Sequence, residues 1–385
     1  MDFNNTIIAF EGKSTADLNR SYWLFKIIGW NWLIKLGPLF LKIFMPLYFP
    51  IPIIKATIFK QFCGGESIAD CNTAIDDLAR NNVKTILDYS VEGIEDEKVF
   101  DENVKEALAA IEKAKDSKDI PFSVFKVTGF GRFDLLSKIN AKTPLTQTEE
   151  EEYDRVKNRI NTMCAKGAEL NVPIFIDAEE TWIQDVIDDL ALDMMRKYNS
   201  KEALIFNTLQ MYRWDRVSYL KELKAIAANE NFFVGVKLVR GAYIEKERDR
   251  SKKMGYKDPM QKTKENTDTD FDLALKFCIE NINIISFCCA SHNEKSSIYL
   301  TQLMKEHNIK NDDTRIYFAQ LLGMSDHISM NLAKSEYNVA KYVPYGPVKD
   351  VTPYLIRRAE ENTSIAGQTG RELSLILEEK ARRRK

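Results

Sequence analysis

Tyr342-Val-Pro-Tyr-Gly-Pro-Val-Lys-Asp-Val-Thr-Pro-Tyr-Leu-Ile-Arg-Arg-Ala-Glu-Glu-Asn362 reads as the end of a strand, a Gly-Pro turn and then a helix. Thr352 is placed to cap that helix, with Pro353 at its first position, where a missing N–H costs nothing. Tyr354, Arg357, Arg358 and Glu361 follow at three- and four-residue spacings and so share one face. Two adjacent guanidiniums beside a tyrosine at a strand-to-helix junction suit a small carboxylate, because each offers a planar fork of donors. An exposed helix carrying Arg–Glu pairs fits the same residues, so the decision lies upstream.

Seven similar units precede this one. The predicted strands are 83–90, 122–128, 172–177, 203–210, 233–240, 283–290 and 315–320, with 339–345 as the eighth. Helical patterns separate them: Tyr153, Val156, Ile160 and Met163 recur at helical spacing, as do Ile183, Val186, Ile187, Leu190 and Met194. Eight strand–helix units predict an α/β chain folded as a (β/α)8 TIM-like barrel. A doubly wound sheet expects a glycine-rich fingerprint after its first strand. The nearest candidate, Gly129-Phe-Gly131, runs on into Arg-Phe-Asp and does not complete one.

At 385 residues, 44% hydrophobic and 29% charged, the chain is long enough for a large core. A formal net charge of -2 argues against a nucleic-acid binder. The six cysteines and three histidines show neither CxxC nor metal-ligand spacing, so no metal site is expected and a reducing compartment is. The basic run 380–385 is expected to be a solvated helix end.

Residues 1–63 are expected to form an apolar helical segment, and 64–385 the barrel with a C-terminal helix. Within the first part, Tyr22 to Ile54 is rich in aromatics (Trp23, Trp30, Trp32, Phe40, Phe44), while lysines, prolines and glycines interrupt it. No apolar run reaches the ~18 residues a spanning helix needs. Two readings follow: helices packed on the barrel, or a segment lying in a membrane interface with its lysines reaching the headgroups.

Barrel enzymes place their chemistry at the carboxyl ends of the strands. Polar residues predicted there are Lys126, then Asp177, Glu179 and Glu180, then Gln210, Lys237 and Arg240, then Ser291, His292 and Asn293, then Gln320 and Tyr342. A lysine inside an apolar strand must find an anion or shift its pKa, and Asp177 is the expected partner of Lys126. The cationic set of Lys126, Lys237, Arg240, Arg357 and Arg358 suits an anionic ligand, or a carboxylate beside a phosphate-bearing cofactor. Redox chemistry through an organic cofactor fits this set better than hydrolysis does.

Asp177-Ala-Glu-Glu180, Phe206-Asn-Thr-Leu-Gln-Met-Tyr212, Lys237-Leu-Val-Arg-Gly-Ala-Tyr243, Ala290-Ser-His-Asn293, Gln320-Leu-Leu-Gly-Met324, Tyr342-Val-Pro-Tyr-Gly346 and Tyr354-Leu-Ile-Arg-Arg-Ala-Glu-Glu-Asn362 resemble, in order, the motifs of monofunctional proline dehydrogenases. The resemblance runs from about Gly64 to the C-terminus. It implies FAD-dependent oxidation of L-proline to Δ1-pyrroline-5-carboxylate, with electrons passing to a membrane quinone. By similarity, Arg357 and Arg358 bind the proline carboxylate with Lys126 beside them. Tyr342 and Tyr354 pack around the ring, and Glu361 orders the arginine helix. Asp177 and Lys237 take the catalytic positions. Ala178, Gln210, Lys237, Arg240, Gly241, Ala242, His292 and Asn293 line the FAD. The resemblance also implies a cytoplasmic location with peripheral contact at an inner membrane, that of the mitochondrion included. A hydroxyproline dehydrogenase and a non-catalytic proline-binding barrel remain as alternatives, and Tyr342 favours proline over its hydroxylated form.

Overall fold

The computed structural model describes residues 2–28, 51–90, 95–364 and 368–384. Eight parallel strands close into a barrel in sequence order: β1 (Lys84–Tyr89), β2 (Phe122–Lys126), β3 (Ile174–Asp177), β4 (Ile205–Gln210), β5 (Val234–Val239), β6 (Ile285–Ala290), β7 (Ile316–Leu321) and β8 (Val339–Tyr345). All eight predicted strands are present, with ends that differ from the predicted ones by no more than two residues. By clustering of contacts, the chain divides into two compact units, 93–319 and a second made of 1–92 with 320–385.

In the unit 93–319, register decides what faces the barrel axis. Lys126 pairs with Asp177, Thr208 with Lys237, and Lys237 with Cys288. Paired residues on neighbouring strands share a face, so these side chains form layers. The floor is aromatic: Phe122 stacks on Phe175 at 4.2 Å and meets Phe206 and Tyr317 edge-on at 5.6 and 4.8 Å. Gly235 makes room for this floor, since a Cβ there would lie 2.7 Å from the Phe206 ring and 2.5 Å from the Ile205 carbonyl oxygen. The polar layer lies above it, with the Lys237 ammonium 5.2 Å from the Phe175 ring.

The surrounding helices follow their sequence signals. Thr146 and Glu149 form a reciprocal capping box that starts the helix Gln147–Leu170, and Asn171 ends it in the left-handed conformation. In the helix Thr181–Tyr198 the predicted stripe of Ile183, Val186, Ile187, Leu190 and Met194 is buried.

In the other unit, the described parts of the N-terminal region build one core with the C-terminal helices. Phe10, Leu18, Phe25, Phe59 and Phe62 are buried against Met324, Val351, Tyr354, Leu355, Leu375 and Ile376. Lys341, fully buried on β8, donates to Asp326 at 2.8 Å and to the Leu321 carbonyl at 3.3 Å. Lys13 pairs with the same aspartate. Burial pushes the Asp326 carboxyl up, but the two lysines outweigh it and hold it well below the ordinary range.

Two expectations change here. The helix bearing the arginines runs Val348–Ser364, so Thr352 is not its cap and Pro353 lies inside it. Gly346 at φ +141° turns the chain, and Pro347 then leads into the first turn, where its fixed φ suits a helix start. Glu66 accepts the Val348 N–H at 3.4 Å, and the Thr352 hydroxyl donates to the Val348 carbonyl at 2.7 Å. The C-terminal basic run is also not simply solvated. Arg383 donates to the carbonyls of Lys13 and Phe10 at 2.7 and 2.8 Å, and it and Arg382 hold the buried Glu379.

Candidate active site

The site residues of the unit 93–319 gather at the carboxyl ends of β2 to β6. Asp177 ends β3 and lies between two lysines: Lys126 at 3.6 Å and Lys237 in direct hydrogen-bond contact. The expected Lys126–Asp177 pair is therefore present, and Lys237 joins it from two strands away. One carboxylate between two ammoniums leaves this layer with a net positive charge, which favours an anionic group above it.

Arg240, just beyond β5, is held on every side of its guanidinium. It donates to Asp268 at 2.7 Å, to the Ser291 hydroxyl at 2.5 Å and to the Ser296 hydroxyl at 2.9 Å, and it lies 4.3 Å from the Phe271 ring. Burial pushes the Asp268 carboxyl up, yet its bonds from Lys264 and Arg240 bring it below the usual range. Asp268, Ser291 and Ser296 thus fix a cation that Arg240 presents half-buried. Sequence reading singled out only Ser291 of the three. The other two lie on the helices Lys264–Glu280 and Glu294–Glu306, where no strand-end rule points.

Gly241 follows at φ +127°, where its missing Cβ lets the Tyr212 ring close to within 2.5 Å of that position. Gly241 and Ala242 are both exposed beside Arg240. Gln210 ties two loops together: its amide donates to the Glu179 carbonyl at 2.7 Å, and its oxygen accepts from the Ala242 N–H at 3.3 Å. Asn293 caps the helix Glu294–Glu306 with its side-chain oxygen, and His292 beside it is half-buried. Ala178 is buried between Asp177 and Glu179.

A deeper network holds this rim. The Glu179 N–H donates to Gln184 at 2.9 Å, and Gln184 donates to Asp188 at 2.8 Å. Asn207 and Arg216 donate to the same carboxylate at 2.8 and 2.6 Å. Gln184, Asp188 and Arg216 lie on helix faces that read as ordinary amphipathic surface, so their sequence gives no signal.

In the unit 1–92 with 320–385, Tyr342 is buried on β8 in register with Ile86. Tyr354 and Arg358 are buried on the helix Val348–Ser364, with the Arg358 guanidinium 5.1 Å from the Tyr354 ring, and Arg357 is half-buried. The side chain of Glu361 lies outside the described residues. Asp88, at the end of β1, is buried and accepts from the Ser90 hydroxyl at 2.9 Å. It is a polar strand end that the sequence reading passed over.

Comparison with known proteins places this geometry. A sequence profile for proline dehydrogenase matches residues 71–371. The chain belongs to the proline dehydrogenase family. A mitochondrial proline dehydrogenase of Dictyostelium discoideum is 30% identical over 97% of this chain and 74% of its own. One from Drosophila melanogaster is 41% identical over 65% of this chain, a match spanning only 37% of that protein. The carbapenem antibiotics biosynthesis protein CarD of Pectobacterium carotovorum is 33% identical over 84% of this chain and 83% of its own. Among solved structures, proline utilization A from Bdellovibrio bacteriovorus superposes with a TM-score of 0.74 at 20% identity. That match covers 94% of this chain and 38% of the other, and it supports the barrel fold.

Proposed function

We propose that this chain oxidises L-proline to Δ1-pyrroline-5-carboxylate with FAD as its resident cofactor, and that the electrons pass to a membrane quinone. The observation that carries the reading is the charge layout at the strand ends: Lys126 and Lys237 around one carboxylate, and Arg240 fixed by three partners. Family membership supports it.

The donor set fits a flavin dinucleotide. A pyrophosphate needs a fixed cation and close backbone approach: Arg240 is the cation, and Gly241, exposed and without a side chain, allows the approach. The ring system's polar edge needs a fixed donor, and Lys237 above the aromatic floor, held by Asp177, is one. Gln210, Ala178, His292 and Asn293 complete the residues proposed to hold the cofactor. When bound, the flavin supplies a two-electron sink that no side chain here offers.

The protein's own part is positioning. Arg357 and Arg358 hold the substrate carboxylate as charge-assisted pairs, with Lys126 as a third cation. Asp177 keeps both lysines in place, and Tyr342 and Tyr354 bound the pyrrolidine ring. Fixing the ring in one orientation turns an encounter of two reactants into an effectively unimolecular step.

The decisive test is optical. The purified protein should be yellow, and its visible absorbance should bleach when L-proline is added without oxygen. A yellow protein whose colour proline leaves unchanged would overturn the assignment of substrate. A protein that neither carries nor takes up FAD would overturn the cofactor as well.

A further inference from the structure

Glu179 is a buried carboxylate that none of the roles above uses. It is 4% exposed and pinned at four points. Its carboxylate oxygens accept the Thr128 N–H at 3.1 Å and the Thr128 hydroxyl at 2.5 Å. Its own N–H donates to Gln184 at 2.9 Å, and its carbonyl accepts from Gln210 at 2.7 Å. Thr128 stands two residues beyond Lys126, and Glu179 two beyond Asp177. Those two residues are paired in register and 3.6 Å apart across β2 and β3. The Thr128–Glu179 clasp therefore joins the same two strand ends as the ion pair.

The groups facing Glu179 are few. From β2 and its turn come Lys126 and Thr128, from β4 Gln210, and from the helix Thr181–Tyr198 Gln184. Beside it on its own loop stand Asp177 and Glu180, and Glu180 is paired with Lys246 of the helix Ile244–Met254 at 3.0 Å. Burial pushes the Glu179 carboxyl up to about 7; bonds from Thr128 and the charge of Lys126 oppose this, and Glu180 adds to it. The clasp itself tolerates both protonation states. The Thr128 hydroxyl can turn from donor to acceptor while its N–H stays on the other oxygen. What changes is the charge at the end of β3, two residues beyond the Lys126–Asp177 pair.

The geometry points to Glu179 as a positioning residue that sets how much of the Lys126 charge is available to an anionic substrate. Neutral, it leaves that charge to the substrate carboxylate; ionised, it competes for it. This rests on the reading of Lys126 as a substrate contact. Affinity for a carboxylate ligand then falls as pH rises through the ionisation of Glu179.

The test uses the FAD-loaded protein and tetrahydrofuran-2-carboxylate, which has the shape of proline but no ionisable nitrogen. Its binding is followed through the flavin absorbance from about pH 6 to about pH 8.5. In the wild type, affinity should weaken about fivefold across that range. Glu179→Gln should stay at the tight, low-pH value throughout. Thr128→Val, which removes a bond to the ionised carboxylate, should move the inflection to higher pH. A flat wild-type profile, or an unmoved inflection in both variants, overturns the inference while leaving proline oxidation standing. No binding at any pH overturns the substrate site, and this inference with it.

Discussion

Asp177 lies between Lys126 and Lys237, and that one residue decides how the polar layer is charged. With a single anion for two cations, a second negative charge is accommodated without displacing either lysine. On the helix Val348–Ser364, Arg358 is buried beside the Tyr354 ring and Arg357 is half-buried. Arg357→Met and Arg358→Met are each expected to lower kcat/KM for proline by the equivalent of about 2–4 kcal/mol, chiefly through KM. FAD content should not change, because neither arginine is among the cofactor residues. Steady-state kinetics with flavin quantification checks this, and an unchanged KM in both variants would remove the arginines from the substrate site. Tyr342 belongs to the same scale. It is buried on β8, and Tyr342→Ser removes its ring and opens space for an added hydroxyl. The preference for proline over 4-hydroxyproline should narrow or reverse, measured as the ratio of kcat/KM for the two. An equal fall on both substrates would mean that the tyrosine shapes the pocket without selecting.

At the scale of elements, the barrel floor carries a prediction of its own. Gly235 is the second residue of β5, and glycine inside a strand normally costs stability. The Phe206 ring occupies the space its side chain would take. Gly235→Ala must displace that ring or the β4 backbone, and overpacking of this kind costs about 1–3 kcal/mol. A thermal melt should show it as a lowered Tm with the flavin spectrum little changed; an unaltered Tm would mean that the floor yields freely. The floor also explains what was legible in the sequence. Strands buried on both faces read as continuous apolar runs bounded by polar residues, and so all eight were located. Lys126, Asp177 and Lys237 stood out because a charge inside such a run is conspicuous. The helix start at Val348 did not, because two prolines competed for it and the deciding contact, from Glu66, lies far away in sequence. Asp268, Ser296, Gln184 and Asp188 were invisible for a related reason. On a helix surface, a residue that fixes a buried side chain looks the same as one that meets only water.

For the whole molecule, the unresolved choice in the sequence was whether Tyr22 to Ile54 packs on the barrel or lies in a membrane interface. Residues 29–50 lie outside the described residues, but the stretches on either side answer in part. Leu18, Phe25, Phe59 and Phe62 are buried with the C-terminal helices, which is packing. On the same stretches Trp23 is 56% exposed and Ile53 57%, and Ile27 is exposed as well. The Lys26 ammonium stands 5.0 Å from the Trp23 ring. Among the described residues no helix is long and apolar enough to cross a membrane. One face of these helices thus belongs to the core, while the other carries tryptophan, isoleucine and lysine, the side chains that suit a headgroup layer. A quinone stays in the bilayer, so a dehydrogenase that reduces it must touch that layer. We propose that Trp23, Ile27 and Ile53 make this contact. Deleting the N-terminal region would test it badly, because the buried face would be stripped from Leu375 and Ile376. Substituting only the exposed side chains leaves the core intact. Trp23→Ser, Ile27→Ser and Ile53→Ser combined should reduce flotation with liposomes containing anionic lipid. Proline-dependent bleaching of the flavin in solution should persist, and turnover with a liposome-borne quinone should fall. If the triple variant floats as the wild type does, these side chains are not the contact, and the membrane role of this face is excluded.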